Sequence, residues 1–226
     1  MIRRSGTRCP VLDTVVDVTI AQRQYGGRAV SERKAERRLR FIVAATRIFA
    51  ERGYADCSLA DVCAAAALSK RQFYEEFETR EDLLVAAYDR VQDEAATAVT
   101  KALTTLDPTA DARTAVAAVL GAYLKSMNSD PHRANLAYIQ VVGVSERMEQ
   151  HRRTRRRSWA RLLELSVAPM VGPTARLRGP GDLGASVLIG AVNGLAHEWL
   201  MTDPRPPIEE LVDLLVPVAL SLIATD

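Results

Sequence analysis

From Ser31 onward apolar residues recur at intervals of three and four, and strand-like alternation is scarce. That is the period of amphipathic helices, so the pattern predicts an all-α chain. A first helix starts near Ser31, carries Leu39, Ile42, Val43, Ile48 and Phe49 on its apolar face, and stops at Gly53, a residue suited to the positive φ of a helix end. Three capping patterns follow: Ser58-Leu-Ala-Asp61, Ser69-Lys-Arg-Gln72 and Thr79-Arg-Glu-Asp82. Each places a side-chain oxygen where it accepts from first-turn amides. They divide the stretch into a second helix over 59–66, a third over 70–77 and the start of a fourth. The second is alanine-rich, so the third can cross it closely. Phe73 and Phe77, four apart on the third, belong to the core.

The rest of the chain reads as further helices over about 80–106, 111–129, 131–144 and 145–168, a Pro- and Gly-rich loop over 169–182, and two closing helices over 183–202 and 208–224. Asp130-Pro131 marks a stop, Pro206 and Pro207 a start, and Pro217 a kink. Gly184, Ala185, Gly190, Ala191 and Gly194 form a small-residue stripe on the first closing helix, while Leu211, Leu214, Leu215, Val218, Leu222 and Ile223 make the second apolar over much of its girth. The pair is the expected dimer surface.

Composition changes little in this picture: 48% hydrophobic, 26% charged and 5% aromatic residues over 226 positions is an ordinary globular profile. Charge changes more. Residues 1–40 hold ten basic against four acidic residues, whereas residues 81–226 hold fifteen against eighteen. The positive excess therefore lies beside the short helices, where it would attract phosphates. Residues 1–30 read as a flexible N-terminal extension. The cysteines Cys9, Cys57 and Cys63 have no CxxC spacing, and no apolar run is long enough to span a membrane. The stretch 11–20 contains two aspartates and makes a poor signal-peptide core. These features point to a cytoplasmic protein.

Three short helices with a tight turn before the third make a helix-turn-helix over residues 31–80, whose last helix enters the DNA major groove. Its polar face offers Lys70, Arg71, Gln72 and Tyr74. Arg is bidentate to guanine, Gln to adenine, and Lys or Tyr holds phosphates. Glu75, Glu76 and Glu78 follow directly and would repel DNA, which leaves the first turn for the groove.

The same stretch resembles the DNA-binding domain of TetR-family transcriptional regulators. The resemblance rests on Ala44-Ala45, Phe49, Gly53-Tyr54, Ser58-Leu59, Asp61-Val62, Ser69, Phe73-Tyr74, Phe77 and Arg80-Glu81-Asp82-Leu83-Leu84. It implies that Tyr74 and Arg80 touch backbone phosphates, that Lys70, Arg71 and Gln72 face base edges, and that the capping serines Ser58 and Ser69 stand at the same interface. It also implies double-stranded DNA with a palindromic operator as partner, a homodimer built from the last two helices, and residues 81–226 as a helical effector-binding and dimerisation domain. The family's turn glycine is Ala67 here, and its small residues early in the third helix are Arg71 and Gln72, so no operator sequence carries over.

For a small, mostly apolar effector among the middle helices, the candidates are Tyr123, Met127, Tyr138, Val142, Asn193 and His197, amphipathic or polar residues on apolar segments. The run from His151 to Arg157 spreads its arginines over several helical faces and reads as a solvated surface with Glu146, Glu149 and Glu164 as partners. The favoured reading is a repressor released from its operator by an effector. One rival is a helix-turn-helix DNA binder without an effector. Another is an all-helical enzyme, but His197-Glu198 is followed by Met201 where a zinc-protease motif needs its second histidine. Neither a Walker lysine loop nor GxSxG is present. No catalytic residue, metal or cofactor is expected.

Overall fold

The computed structural model describes residues 14–171, 176–179 and 183–224. Its helices are α1 (Thr14–Arg52), α2 (Leu59–Ala66), α3 (Lys70–Tyr74), α4 (Arg80–Thr104), α5 (Ala112–Met127), α6 (Pro131–Asn135), α7 (Glu146–Val171), α8 (Leu183–Met201) and α9 (Ile208–Leu222). A π-helical turn, Leu136–Gln140, continues α6. The expected all-helical class is found, with one small addition. Strand β1 (Arg176–Leu177) pairs antiparallel with β2 (Ile223–Ala224).

Helix α1 begins at Thr14, not near Ser31. Residues 11–107 contain no proline, and a helix nucleated elsewhere propagates through Gly26-Gly27 at about 1 kcal/mol per glycine. Residues 1–13 of the expected extension lie outside the described residues. The buried face of α1 is Phe41, Ala45, Ile48 and Phe49, flanked by Ile42 and Ala44. Leu39 and Val43, expected on that face, are 44% and 51% exposed, because at 100° per residue they fall opposite Phe41 and Ala45.

The head packs Phe41, Phe73 and Phe77 against one another at centroid separations of 5.5, 5.5 and 6.2 Å. Both pairs made by Phe41 are edge-to-face, the arrangement the ring quadrupole favours. The head core continues along α4 to Ala134, Leu136, Tyr138 and Met148. A second core joins α5, α7, α8 and α9 through Val119, Leu163, Leu188, Val192 and Leu215. Tyr123 and Trp159 border both cores.

Three other expectations are corrected. The helix foreseen over 131–144 gives way to the π-turn, whose widened ring lets Leu136, Ala137, Tyr138 and Val141 all face inward. The expected loop 169–182 instead starts with the last turn of α7 and holds β1, and its residues 172–175 and 180–182 lie outside the described residues. The last helix ends at Leu222, since Ile223 turns extended and buries against the second core. Helix α9 runs on through Pro217.

The small-residue stripe divides in two. Gly184 lies against the β1 turn, where an added Cβ would stand 2.0 Å from the Arg178 carbonyl oxygen. Gly190 and Gly194 face open space, on the helix that also exposes Leu183, Val187 and Met201; Leu214 is exposed on α9.

Candidate functional site

All three capping boxes form. Asp61 N–H donates to Ser58 Oγ (3.2 Å), Gln72 N–H to Ser69 Oγ (3.2 Å) and Asp82 N–H to Thr79 Oγ1 (3.0 Å). The reciprocal bonds from the Ser58, Ser69 and Thr79 amides are 2.9, 2.9 and 2.8 Å. Ser58 Oγ also donates to Asp61, and these hydrogen bonds hold the Asp61 carboxyl below its ordinary value. The turn between α2 and α3 closes on Ala67, in the left-handed region at φ 51°, ψ 46°. It is the only non-glycine with positive φ among the described residues. Leu68 N–H donates to Cys63 O (3.0 Å), and the Arg40 guanidinium reaches Ala66 O and Ala67 O (2.9 and 3.1 Å). Most carbonyls at the end of α2 are thus engaged.

These caps present a short α3 with Lys70, Arg71 and Tyr74 outward. The Arg71 side chain is 91% exposed, held loosely by Glu75 at 3.5 Å. Gln72 behaves differently. Its Oε1 accepts from both the Ser69 amide and the Ser69 hydroxyl (2.9 and 3.1 Å), so a bidentate grip on adenine would require breaking the cap. Arg80, the first residue of α4, stacks over the Tyr54 ring at 4.5 Å.

The helix expected to reach Phe77 ends at Tyr74. Arg37 and Arg38 of α1 fix the segment after it. Arg37 pairs with Glu76 (2.8 Å) and Glu75 (3.4 Å), and Arg38 donates to Glu76 O (2.8 Å) while lying over the Phe77 ring. Glu76 is therefore buried and neutralised, not turned toward DNA. That pairing spans 39 positions of sequence and had no local signal.

The head is bolted to the body at several points. Tyr54 N–H donates to Gln140 Oε1 (3.1 Å), Ser145 Oγ to Glu81 (2.6 Å) and Arg147 to Asp82 (2.5 Å). The Arg147 hydrogen bond, with Thr79, overcomes partial burial and depresses the Asp82 carboxyl. The basic run of α7 finds partners beyond those expected. Arg152 does pair with Glu149 (2.6 Å), but His151 meets Asp89 (2.6 Å) and Arg155 meets Asp89 and Asp93 (2.6 and 2.7 Å), both on α4.

An apolar cavity of about 60 Å³ lies between α5, α7 and α8, lined by residues including Val119, Tyr123, Trp159, Leu188 and Val192. Of the six expected ligand residues, Tyr123 lines it. Tyr138 is buried behind Tyr123, Met127 is fully buried in the head-side core, and Asn193 is half-buried on α8. Val142 and His197 are exposed, away from the cavity. Burial pushes the Tyr123 and Tyr138 phenols well above their ordinary range, and the Tyr138 hydroxyl makes no hydrogen bond of normal geometry. Trp159, not foreseen in this role, stacks edge-on against Tyr123 at 4.8 Å and donates its Nε1–H to buried Gln92 of α4 (2.7 Å). Among the described residues no cluster of three or more His, Cys, Asp or Glu could hold a metal ion. No described helix is long and apolar enough to cross a membrane.

Residues 41–87 match the family model for bacterial regulatory proteins of the tetR family. No curated protein matches the chain. Among solved structures, the fold is similar to that of the transcriptional regulator FadR from Bacillus subtilis in complex with stearoyl-CoA, with TM-score 0.67 and 16% identity over 82% of this chain and 99% of that one. The fatty acid degradation regulator FadR from Bacillus halodurans gives TM-score 0.66 and 16% identity over 81% and 94% of the two chains. A TetR-like transcriptional regulator from Rhodococcus sp. RHA1 gives 0.62 and 19%, over 81% and 93%.

Proposed function

Starting from a chain that carries a TetR-family DNA-binding head on a TetR-type helical fold, we propose that it is a cytoplasmic, sequence-specific repressor, not an enzyme, and that a small, mostly apolar effector releases it from a palindromic operator. The observation that carries this reading is the α3 face: Lys70, Arg71 and Tyr74 are exposed on a helix whose start is locked by a capping box. Lys70 and Arg71 read or contact base edges, Tyr74 and Arg80 hold phosphates beside Ser58 and Ser69, and Gln72 keeps the helix start in register. The exposed stripe of Leu183, Val187, Gly190, Gly194 and Met201 on α8, with Leu214 on α9, supports a homodimer. Two-fold symmetry then sets the heads about one DNA turn apart, roughly 34 Å.

The apolar lining supports an effector of fatty-acyl character, the kind of ligand found in the Bacillus subtilis structure. A cavity of about 60 Å³ is far below the several hundred Å³ that a drug-sized ligand fills. Entry therefore forces α5, α7 and α8 apart, which gives the effector different affinities for two conformations. Two routes lead from the cavity to the head. One runs through Trp159 to Gln92 on α4. The other runs through Tyr123 and Tyr138 on the π-turn to Gln140, Tyr54 and Arg80.

Fluorescence anisotropy on the DNA beside the protein's own gene, over a salt series and with long-chain acyl-CoA added, tests the reading. We expect salt-sensitive binding that acyl-CoA reverses. Arg71→Ala should cost about 1–3 kcal/mol of affinity and relax sequence preference, while Gln72→Ala weakens all sites alike. Binding indifferent to sequence and to Arg71→Ala would overturn the regulator reading. Operator binding untouched by acyl-CoAs would exclude that effector class.

A further inference from the structure

Between the head and the body lies a second hollow, a cleft of about 570 Å³ bounded by α1, α2, α4 and α6. Unlike the apolar cavity, it carries charged side chains among apolar ones such as Val43, Ala65 and Val91. Four arginines line it: Arg40 and Arg47 from α1, Arg90 from α4 and Arg133 from α6. The carboxylates in the same wall are Glu94 and Asp130. Asp130 is occupied by His132, Nδ1 to Oδ1 at 2.9 Å, and the other ring nitrogen of His132 meets Glu51 of α1 at 3.3 Å. Glu94 is shared, receiving the Arg90 Nε–H (2.7 Å) on one oxygen and Arg133 on the other.

One carboxylate for two guanidinium groups leaves the wall short of acceptors. Arg90 Nη1 and Arg133 Nε are buried and have no hydrogen-bond acceptor, a costly state for a charged donor. Burial alone would raise the Glu94 carboxyl. Hydrogen bonds from Arg90 and Arg133 and their charges instead hold it below its ordinary value, so it stays ionised and still fails to balance the arginines. Arg47 is exposed at the cleft and has no ion-pair partner among the described residues. Arg40 spends part of its guanidinium on the Ala66 and Ala67 carbonyls at the α2–α3 turn.

We propose that this cleft binds a small phosphorylated anion, separate from the effector cavity. Planar guanidinium forks are the side chains suited to bidentate phosphate recognition, and the space is ample for a diphosphate with an organic group attached. An anion seated there touches α1 on one side and α4 and α6 on the other. Its occupancy ties the head to the body next to the turn that aims α3.

The test is isothermal titration of the full chain with sodium pyrophosphate, and separately with ADP, at constant ionic strength set by NaCl. Arg47→Gln is the principal variant, since its side chain is exposed and its loss leaves the core intact. Arg90→Gln is the second, and Arg71→Gln controls for anions gathered by the α3 face. We expect saturable binding of at least one diphosphate, weakened tenfold or more by Arg47→Gln and by Arg90→Gln and unchanged by Arg71→Gln. Tighter binding of ADP would assign an organic diphosphate, and tighter binding of pyrophosphate the inorganic ion. Heat no greater than the NaCl blank with both ligands, equal affinity in the cleft variants, or loss in Arg71→Gln alone would overturn the proposal.

Discussion

In the head, three phenylalanine rings interlock within 6.2 Å, and α2, α3 and α4 each begin in a closed capping box. In the body, a small void lies between α5, α7 and α8, and beside it Trp159 donates to a buried glutamine of α4 while the Tyr138 phenol makes no hydrogen bond of normal geometry. The first arrangement has one satisfactory packing. The second is held by single polar contacts whose loss another conformation could offset. A DNA reader needs its side chains in fixed register, and a sensor needs alternatives close in energy. The two regions differ in the way the proposed function would require.

The sharpest way to break the contrast is Phe73→Ala, which should cost about 3–5 kcal/mol in denaturant unfolding, because the packed head cannot collapse into the space left behind. A cost near 1 kcal/mol would mean the head is as adaptable as the body. Tyr138→Phe probes the opposite region. Removing a buried hydroxyl that makes no hydrogen bond of normal geometry should leave stability unchanged or raise it by about 1 kcal/mol; a loss would reveal a stabilising hydrogen bond to Tyr123 in solution. Ala67→Gly, at φ 51°, should add about 0.5–1 kcal/mol to the head. Relief of left-handed strain there outweighs the extra freedom of the unfolded chain.

The smallest effect is acid sensitivity at the bolt between the two regions. The folded Asp82 carboxyl is depressed by Arg147, so its contribution is complete above the unfolded value of about 3.9 and fades as pH falls through the folded one. The pair is partly exposed, which limits the loss to under about 1 kcal/mol. Stability measured from pH 5 down to pH 3 should drop less in Asp82→Asn than in the parent chain.

What could be read in advance follows from the range of the interactions. The caps at Ser58, Ser69 and Thr79 each close within four residues and stand plainly in the sequence, as does the α2 span they set. The Arg37–Glu76, Trp159–Gln92 and Tyr54–Gln140 bonds join positions 39, 67 and 86 apart, and nothing local marks them. The apolar face of α1 failed for a related reason. Leu39 and Val43 are as apolar as Ile42 and Ile48, and only the placement of Phe41 against α3 decides which side goes inward. Gln72 was legible as a cap and as a base reader, and the Ser69 geometry favours the first. Tyr123 was visible as an amphipathic residue on an apolar helix, whereas His197 and Val142 met the same criterion and ended outside.

The chain has two tryptophans, and they sit in unlike surroundings. Trp159 forms part of the cavity wall, while Trp199 donates to Pro206 O beside Arg205. Replacing Trp199 by Phe would leave one indole, its emission colour set by whether Gln92 still holds it and by what stands in the void. The protein thus carries a built-in optical gauge in the wall of its apolar cavity, readable without a dye and with α3 left as it is.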